Sequence, residues 1–324
     1  MTAFGIGLSW LATSQAHAFN PERYQQWLAK TRAEAIAAGI SPAIVNTNLK
    51  NPKFIPRIIE LDRKQPEKTR SFNAYKKDIL SPERIAEGRR LYQTHRQLLK
   101  EIEQEYGVPA PVIVALWGIE THYGKLTGGY HVVDALSTLA YEGRRHDFFK
   151  KELFAALKIL EEKHITSAAM KGSWAGAMGQ SQFMPTSFLR FAQDHNNDGR
   201  RDIWGTLPDV FASAANYLNQ SGWEEGQGWG QPVKLSPNFD ETQIGLDITH
   251  PIRVWAAKGV MQTNGRGLTL SDAPASLIRP QDSGDQAYLV TPNYRAIMAW
   301  NKSTYFATTV GLLADRIAAP GPGH

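Results

Sequence analysis

One carboxyl stands out for its setting. Glu120 ends the run Pro111-Val-Ile-Val-Ala-Leu-Trp-Gly-Ile-Glu120-Thr-His-Tyr-Gly124, after nine residues without a charge. At helical spacing Ile113, Leu116, Trp117 and Glu120 share one face. The residues three and four positions away are Leu116, Trp117, Tyr123 and Gly124, so the helix itself offers no Lys or Arg to pair with it. A carboxyl on an apolar face has its ionised form desolvated, which raises its pKa toward that of a useful general acid. Gly124 reads as a helix stop, placing Glu120 in the last turn, where the helix dipole disfavours negative charge further. Such a group suits protonation of a glycosidic oxygen. The alternative is a first residue back in solvent. Asp134 and Asp147 are the nearest other acidic candidates, and neither has a comparably apolar context.

A second stretch, Lys171 to Phe188, packs Gly172, Gly176 and Gly179 among small residues, which lets a backbone approach another surface or a ligand closely. Ser173, Gln180, Ser181 and Gln182 add uncharged donors and acceptors, the groups that read sugar hydroxyls and acetamido groups. A tight packing loop between helices is the other reading. A third constellation has Asp194, Asn196 and Asp198 at positions 1, 3 and 5 of a calcium-type loop, Gly199 at 6, Arg200 at 7 and Asp202 at 9. Position 12 is Gly205, for which Asp209 on the next helix is the available replacement. A structural Ca²⁺ or an Asx-rich capping turn both suit this segment. His122, His131 and His146 lack zinc spacing.

These groups need a scaffold, and the pattern is mainly α. Residues 19–80 read as a polar helical region broken at Pro52, Pro56 and Pro66, and 81–224 as the core. Ser81-Pro82-Glu83 opens a helix whose stripe runs Leu91, His95, Leu98, Leu99, Ile102, Tyr106, with Gly107 ending it. Another helix spans 146–163 with Phe149, Leu153, Leu157 and Leu160 on one face, and one runs from Pro208 to Leu218. Residues 225–292 read as a small β-rich insertion, with Ile252–Trp255 and Ala287–Val290 as β-prone runs. Helix resumes over 293–317 and completes the core, leaving a tail at 318–324.

The 324 residues carry a net charge of +5, spread along the chain rather than striped, which argues against a nucleic-acid binder and suits a carboxylate-bearing wall. Without cysteine, no disulfide framework, thiolate metal site or lipid-bearing N-terminal Cys is expected. Residues 4–12 form a short apolar run followed by Ala16-His17-Ala18, so a secretory signal over 1–18 and a soluble, periplasmic mature chain are expected. No run approaches a transmembrane span.

Four motifs occur in order: Glu120-Thr-His-Tyr-Gly124, Arg144-Arg145, Gly176-Ala-Met-Gly-Gln-Ser-Gln-Phe-Met-Pro185 and Trp300-Asn-Lys-Ser303. Together they resemble the lytic murein transglycosylase B family over roughly residues 20–317. The resemblance implies a lysozyme-like α core with a small β domain, cleaving the β-1,4 bond between N-acetylmuramic acid and N-acetylglucosamine. It implies 1,6-anhydromuramic acid ends, with one Glu acting as acid and then base. It gives Glu120 as that acid, and Ser173, Gln182, Asn301 and Tyr123 as substrate-binding groups. It makes Arg144 and Arg145 contacts to substrate carboxylates, against which stands a solvated helix start. Trp300 and Phe306 stand where some relatives have Tyr, so one hydrogen bond to substrate is expected to be absent. The resemblance also implies Ca²⁺ at a variant loop such as 194–209. Peptidoglycan glycan strands are the expected partner. A hydrolytic muramidase, or a non-catalytic calcium-stabilised peptidoglycan-binding protein, are the alternatives. A conventional hydrolase needs a second carboxyl about 5–10 Å from the first.

Overall fold

The computed structural model describes residues 19–64 and 70–319; the expected signal segment, the break at Pro66 and most of the tail lie outside them. Proline opens helices here. α1 (Pro21–Ala37), α2 (Pro42–Asn48) and α3 (Pro56–Lys64) each begin on one, where its missing N–H would have no intrahelical partner anyway. α4 (Phe72–Ile79) is capped by Ser71.

Ser81 caps α5 (Pro82–Thr94) by accepting the Arg84 N–H at 3.3 Å. The single helix expected to run on to Tyr106 is two, because the chain bends at His95 (φ −104°, ψ 17°) before α6 (Arg96–Tyr106). The His95 ring meets Phe211 and Trp117 edge-on, with centroids 5.8 and 6.3 Å away. Leu91, Leu99 and Ile102 stay buried across the bend, so the apolar stripe carries no mark of it. There follow α7 (Ala110–Thr121), β1 (Tyr130–His131), α8 (Val132–Glu142), α9 (His146–Glu161), β2 (Lys171–Gly172), α10 (Pro185–Phe191) and α11 (Leu207–Gln220). In α9, Phe149, Leu153, Leu157 and Leu160 are buried as their spacing requires.

The next stretch is a five-stranded antiparallel sheet in the order β4-β6-β7-β3-β5. Its strands are β3 (Gly230–Leu235), β4 (Gly245–Pro251), β5 (Val260–Gln262), β6 (Pro274–Ile278) and β7 (Ala287–Val290). Ile252–Trp255, read as β-prone, is instead part of α12 (Ile252–Ala257). Ile252, Trp255 and Ala256 lie at i, i+3 and i+4 and all pack on the core of the sheet, and the Trp255 indole N–H reaches Ala275 O at 2.8 Å. Tertiary packing overrides the local preference of β-branched residues.

The helical pattern expected over 293–317 is also two helices, α13 (Pro292–Trp300) and α14 (Thr304–Ala318). The break is chemically specified: Asn301 is extended, its side chain accepts the Ser303 N–H at 3.1 Å, and Ser303 caps α14. Among the described residues there are fourteen helices, and the chain is mainly α. One core gathers α5, α6, α7, α11, α13 and α14, and a second gathers α8, α9 and α10; Trp300 packs against both.

The sheet is tied to the helical body by Trp229, whose indole N–H lies 3.2 Å from both Asp315 carboxylate oxygens. Burial pushes the Asp315 carboxyl up from its ordinary value, with the Trp229 hydrogen bond and Arg316 opposing. A raised folded-state value means the folded chain holds the proton more tightly than the unfolded chain. Stability is then greatest below the unfolded value near 4 and falls as pH rises through the folded one. Asp315→Asn is expected to flatten that decline when urea midpoints are compared from acidic to neutral pH; an unchanged pH dependence would refute the assignment.

Candidate active site

α7 is apolar on every side, and Val112 through Gly118 are all buried. That differs from the single apolar face expected of it, and a helix hydrophobic all round is a buried one. Beyond the partly exposed Pro111 at its start, its last turn meets solvent, and Glu120 sits there, half-buried. The helix stops abruptly: His122, Tyr123 and Gly124 all take left-handed φ, at 50°, 59° and 81°. The stop therefore comes two residues before the glycine expected to make it.

The rest of the Glu-Thr-x-Tyr-Gly motif builds that ending. The Thr121 hydroxyl donates to Gln180 O at 3.0 Å and accepts the Gly124 N–H at 3.0 Å. A Cβ on Gly124 would come within 2.3 Å of Gln180 Oε1. Gln180 in turn accepts from the Trp117 indole at 2.8 Å and donates to Trp204 O at 2.9 Å. Tyr123, expected to touch substrate, is only 5% exposed, and its hydroxyl donates to Arg84 O at 2.7 Å. Its hydroxyl lies against Gly88 of α5 and its ring against Gly118 of α7, where a Cβ would come within 2.4 and 2.6 Å of them. It holds helices together.

Facing Glu120 is the glycine-rich segment. Its glycines admit neighbouring backbone: a Cβ on Gly172 would meet Ala177 O at 2.1 Å, and one on Gly179 would meet Ile203 O at 2.6 Å. Ser173 Oγ accepts the N–H groups of Ala177 and Ala175 at 3.1 and 3.3 Å. Gln182 Nε2 donates to Gly179 O at 2.9 Å and Thr127 O at 3.1 Å. Both remain half-buried rather than enclosed. Asn301 is exposed just beyond Trp300, while Phe306 is buried in the core.

Behind Glu120 lies a cavity of about 10 Å³ lined by Trp117, Gln180, Ser181, Phe211, Trp300 and aliphatic side chains. That is room for one water at most, so a ligand must approach from the open side. Trp300 donates its indole N–H to Glu120 Oε1 at 2.9 Å, across 180 positions of sequence. Sequence reasoning noted Trp300 in the fourth motif and as a departure from relatives with Tyr, and missed this bond. Among the described residues the cavity lining holds no second carboxyl. Asp134, for its part, accepts the Lys53 N–H at 2.9 Å.

Arg144 and Arg145 do not line this cavity. Both clasp Asp62, whose side chain is 3% exposed: Arg145 reaches Oδ1 at 2.6 Å, and Arg144 bonds Oδ2. The pair neutralises a buried carboxylate on α3, a partner that neither original reading included.

The 194–209 loop has oxygen donors of the right kind, and Gly199 takes the expected left-handed turn (φ 87°). Those oxygens nevertheless turn to the backbone. Asp194 accepts the N–H groups of Asp198 and Gly199 at 3.0 and 2.8 Å, Asn196 that of Asp198 at 3.2 Å, and Asp198 that of Arg200 at 2.9 Å. Asp202 caps Trp204 and Gly205. Asp209, wholly buried, accepts from His195 and Asp202 at 2.9 and 2.8 Å. Among the described residues no three acidic or imidazole side chains converge as a metal site. The expected calcium therefore does not fit these residues as they stand, because Gly205 gives no twelfth ligand and Asp209 is drawn inward.

The chain resembles known proteins over most of its length. The chain belongs to the transglycosylase SLT domain family, which it matches over residues 23–315. It is 32% identical to the membrane-bound lytic murein transglycosylase B of Escherichia coli over 248 residues, 75% of this chain and 66% of that protein. SltB3 from Pseudomonas aeruginosa, solved with NAG-NAM-pentapeptide and with NAG-anhNAM-pentapeptide, is similar at 42% identity and TM-score 0.88, over 92% of this chain and 80% of that one. The E. coli lytic transglycosylase Slt35, solved with bulgecin A and with calcium, shares 29% identity at TM-scores of 0.76 and 0.75, over 93% of this chain and 94% of that one. These neighbours bear out the lysozyme-like, mainly α expectation.

Two outcomes follow from the packing. Gly118→Ala gains up to about 1 kcal/mol of helix propensity. It loses roughly 1–3 kcal/mol by displacing the Tyr123 ring, and more with the Arg84 hydrogen bond, so a lower melting temperature is expected. Arg145→Ala should lower the unfolding free energy by about 1–3 kcal/mol in urea titrations; unchanged stability with weaker substrate binding would return it to the substrate.

Proposed function

We propose that the chain is a lytic transglycosylase cleaving the β-1,4 bond between N-acetylmuramic acid and N-acetylglucosamine in peptidoglycan, with Glu120 as its acid and then its base. The observation that carries this reading is a lone carboxyl at the tip of a buried helix, with no second carboxyl lining its cavity among the described residues. Its relatives' activity and the two SltB3 complexes support it.

Protonated Glu120 gives its proton to the glycosidic oxygen as the C1–O bond breaks, and the bonding electrons leave with that oxygen. The resulting carboxylate takes the proton of the muramyl C6 hydroxyl while O6 bonds to C1. Glutamic acid is regenerated, no water is consumed, and one carboxyl suffices where hydrolysis needs two. Ser173, Gln182 and Asn301, half-buried or exposed near this end of α7, are proposed to hold the sugars. The 194–209 loop takes no part in these steps.

No helix among the described residues is long and apolar enough to cross a membrane. We propose export to the periplasm, with processing after Ala18, and glycan strands as the partner.

Purified sacculi treated with the enzyme should release anhydromuropeptides, identified by mass spectrometry; reducing-end products would mark a muramidase instead. Glu120→Gln should lower turnover by at least about 100-fold with an unchanged unfolding midpoint. Saturable sacculus binding without cleavage by the parent chain would make this a binding protein.

A further inference from the structure

We propose that Trp300 is the positioning residue of the Glu120 carboxyl: its indole N–H holds Oε1 and stabilises the carboxylate formed between the two proton transfers. The inference rests on the reading of Glu120 as acid and then base.

An indole N–H donates and never accepts. Held 2.9 Å from Oε1, it fixes the direction in which that oxygen points and favours the ionised carboxylate, whose charge strengthens the bond. The donor is itself fixed. Trp300 is the last residue of α13, with its ring against Tyr217 at 4.8 Å and Phe183 at 5.2 Å. The Tyr217 hydroxyl donates to Ala299 O at 2.7 Å, pinning the preceding residue, and the chain then turns away at Asn301 (φ −145°). Because Trp300 touches both helical cores, its indole cannot swing without repacking them. A donor already in place where charge develops reorganises little during the reaction.

The consequence follows the proton. When the carboxyl O–H bond breaks and the glycosidic oxygen takes the hydrogen, the carboxylate becomes negative and the bond from Trp300 becomes charge-assisted. When the carboxylate recovers a proton from the C6 hydroxyl, that bond weakens again. Trp300 therefore contributes most between the two transfers.

The surroundings leave this bond legible in a pH profile. Apart from Glu120, the cavity lining contributed by α7, α11, α13 and residues 180–181 has no titratable group among the described residues. Beyond it, Tyr217 behind Trp300 is pushed up by burial, and His95 behind Trp117 is pushed down by burial and by Arg90. His122 follows Glu120 at the helix end, with Nδ1 3.4 Å from Arg84 Nη2.

The test is Trp300→Phe, which keeps an aromatic ring between Phe183 and Tyr217 and removes the N–H. Its kcat should fall about tenfold with KM little changed, and the limb reporting Glu120 ionisation should move up by about one pH unit. Trp300→Tyr, which restores a donor, should move that limb back toward the parent. In the parent chain the Trp300 indole proton resonance should titrate with the same midpoint, and it should stop titrating in Glu120→Gln. A Trp300→Phe profile superimposable on the parent, or an indole resonance indifferent to Glu120, overturns the proposal. If Trp300→Phe does not fold, the resonance in the parent decides. An active Glu120→Gln would instead overturn the reading of Glu120 itself, whatever Trp300 does.

Discussion

A helix buried on every side can show solvent only its end, and that constraint governs this molecule. α7 is enclosed from Val112 to Gly118, so the one place it can carry chemistry is the last turn. A carboxyl there faces the unfavourable end of the helix dipole and has no cationic neighbour on its own helix. The compensating donor must come from elsewhere in the chain. Trp300, at the end of a different helix, supplies one. Two helix ends meeting at one carboxyl define the site, and both must stop where they do.

The stops are built from small polar details rather than from long-range charge. Thr121 closes α7 by bonding both its own Gly124 and the facing Gln180, so helix end and glycine-rich wall are one hydrogen-bonded unit. Asn301 and Ser303 do the same work between α13 and α14. The glycines at 172 and 179 make room for carbonyl groups, not for a ligand. A motif that looks catalytic throughout thus divides unevenly: Glu120 faces the opening, while Thr121, Tyr123 and Gly124 hold the frame around it.

How much of this was legible in the sequence depends on the range of the interaction. Glu120, the buried stripe of α9, the cap of α5 and the β-rich insertion follow from local spacing, and the structure contains them. The bends at His95 and at 301–303 do not interrupt apolar periodicity, because both halves bury the same stripe; only the Asn-x-Ser cap carried a local signal for the second. α12 looked like a strand because Ile252 and Val254 are β-branched, yet Trp255 needed the sheet beneath it. The structural partners of Tyr123 and of the arginine pair escaped the sequence for a shared reason. Their partners, Arg84 and Asp62, lie 39 and some 82 positions upstream, beyond any spacing rule. In the 194–209 loop the pattern of oxygens was visible, but not that backbone N–H groups would claim them.

The same distinction bears on why a single carboxyl serves here. A second acid beside Glu120 would face it in a nearly dry cavity, where two like charges raise each other's proton affinity and one of them resists ionising. The lining instead places an indole N–H, a donor with no charge and no proton to exchange in the working range. Such a donor responds to Glu120 without competing for its proton. In the proposed reaction such a donor would leave the carboxyl able to hold a proton before bond cleavage and to recover one afterwards, the cycle that closing an internal ring demands and that a hydrolytic pair would divide between two residues.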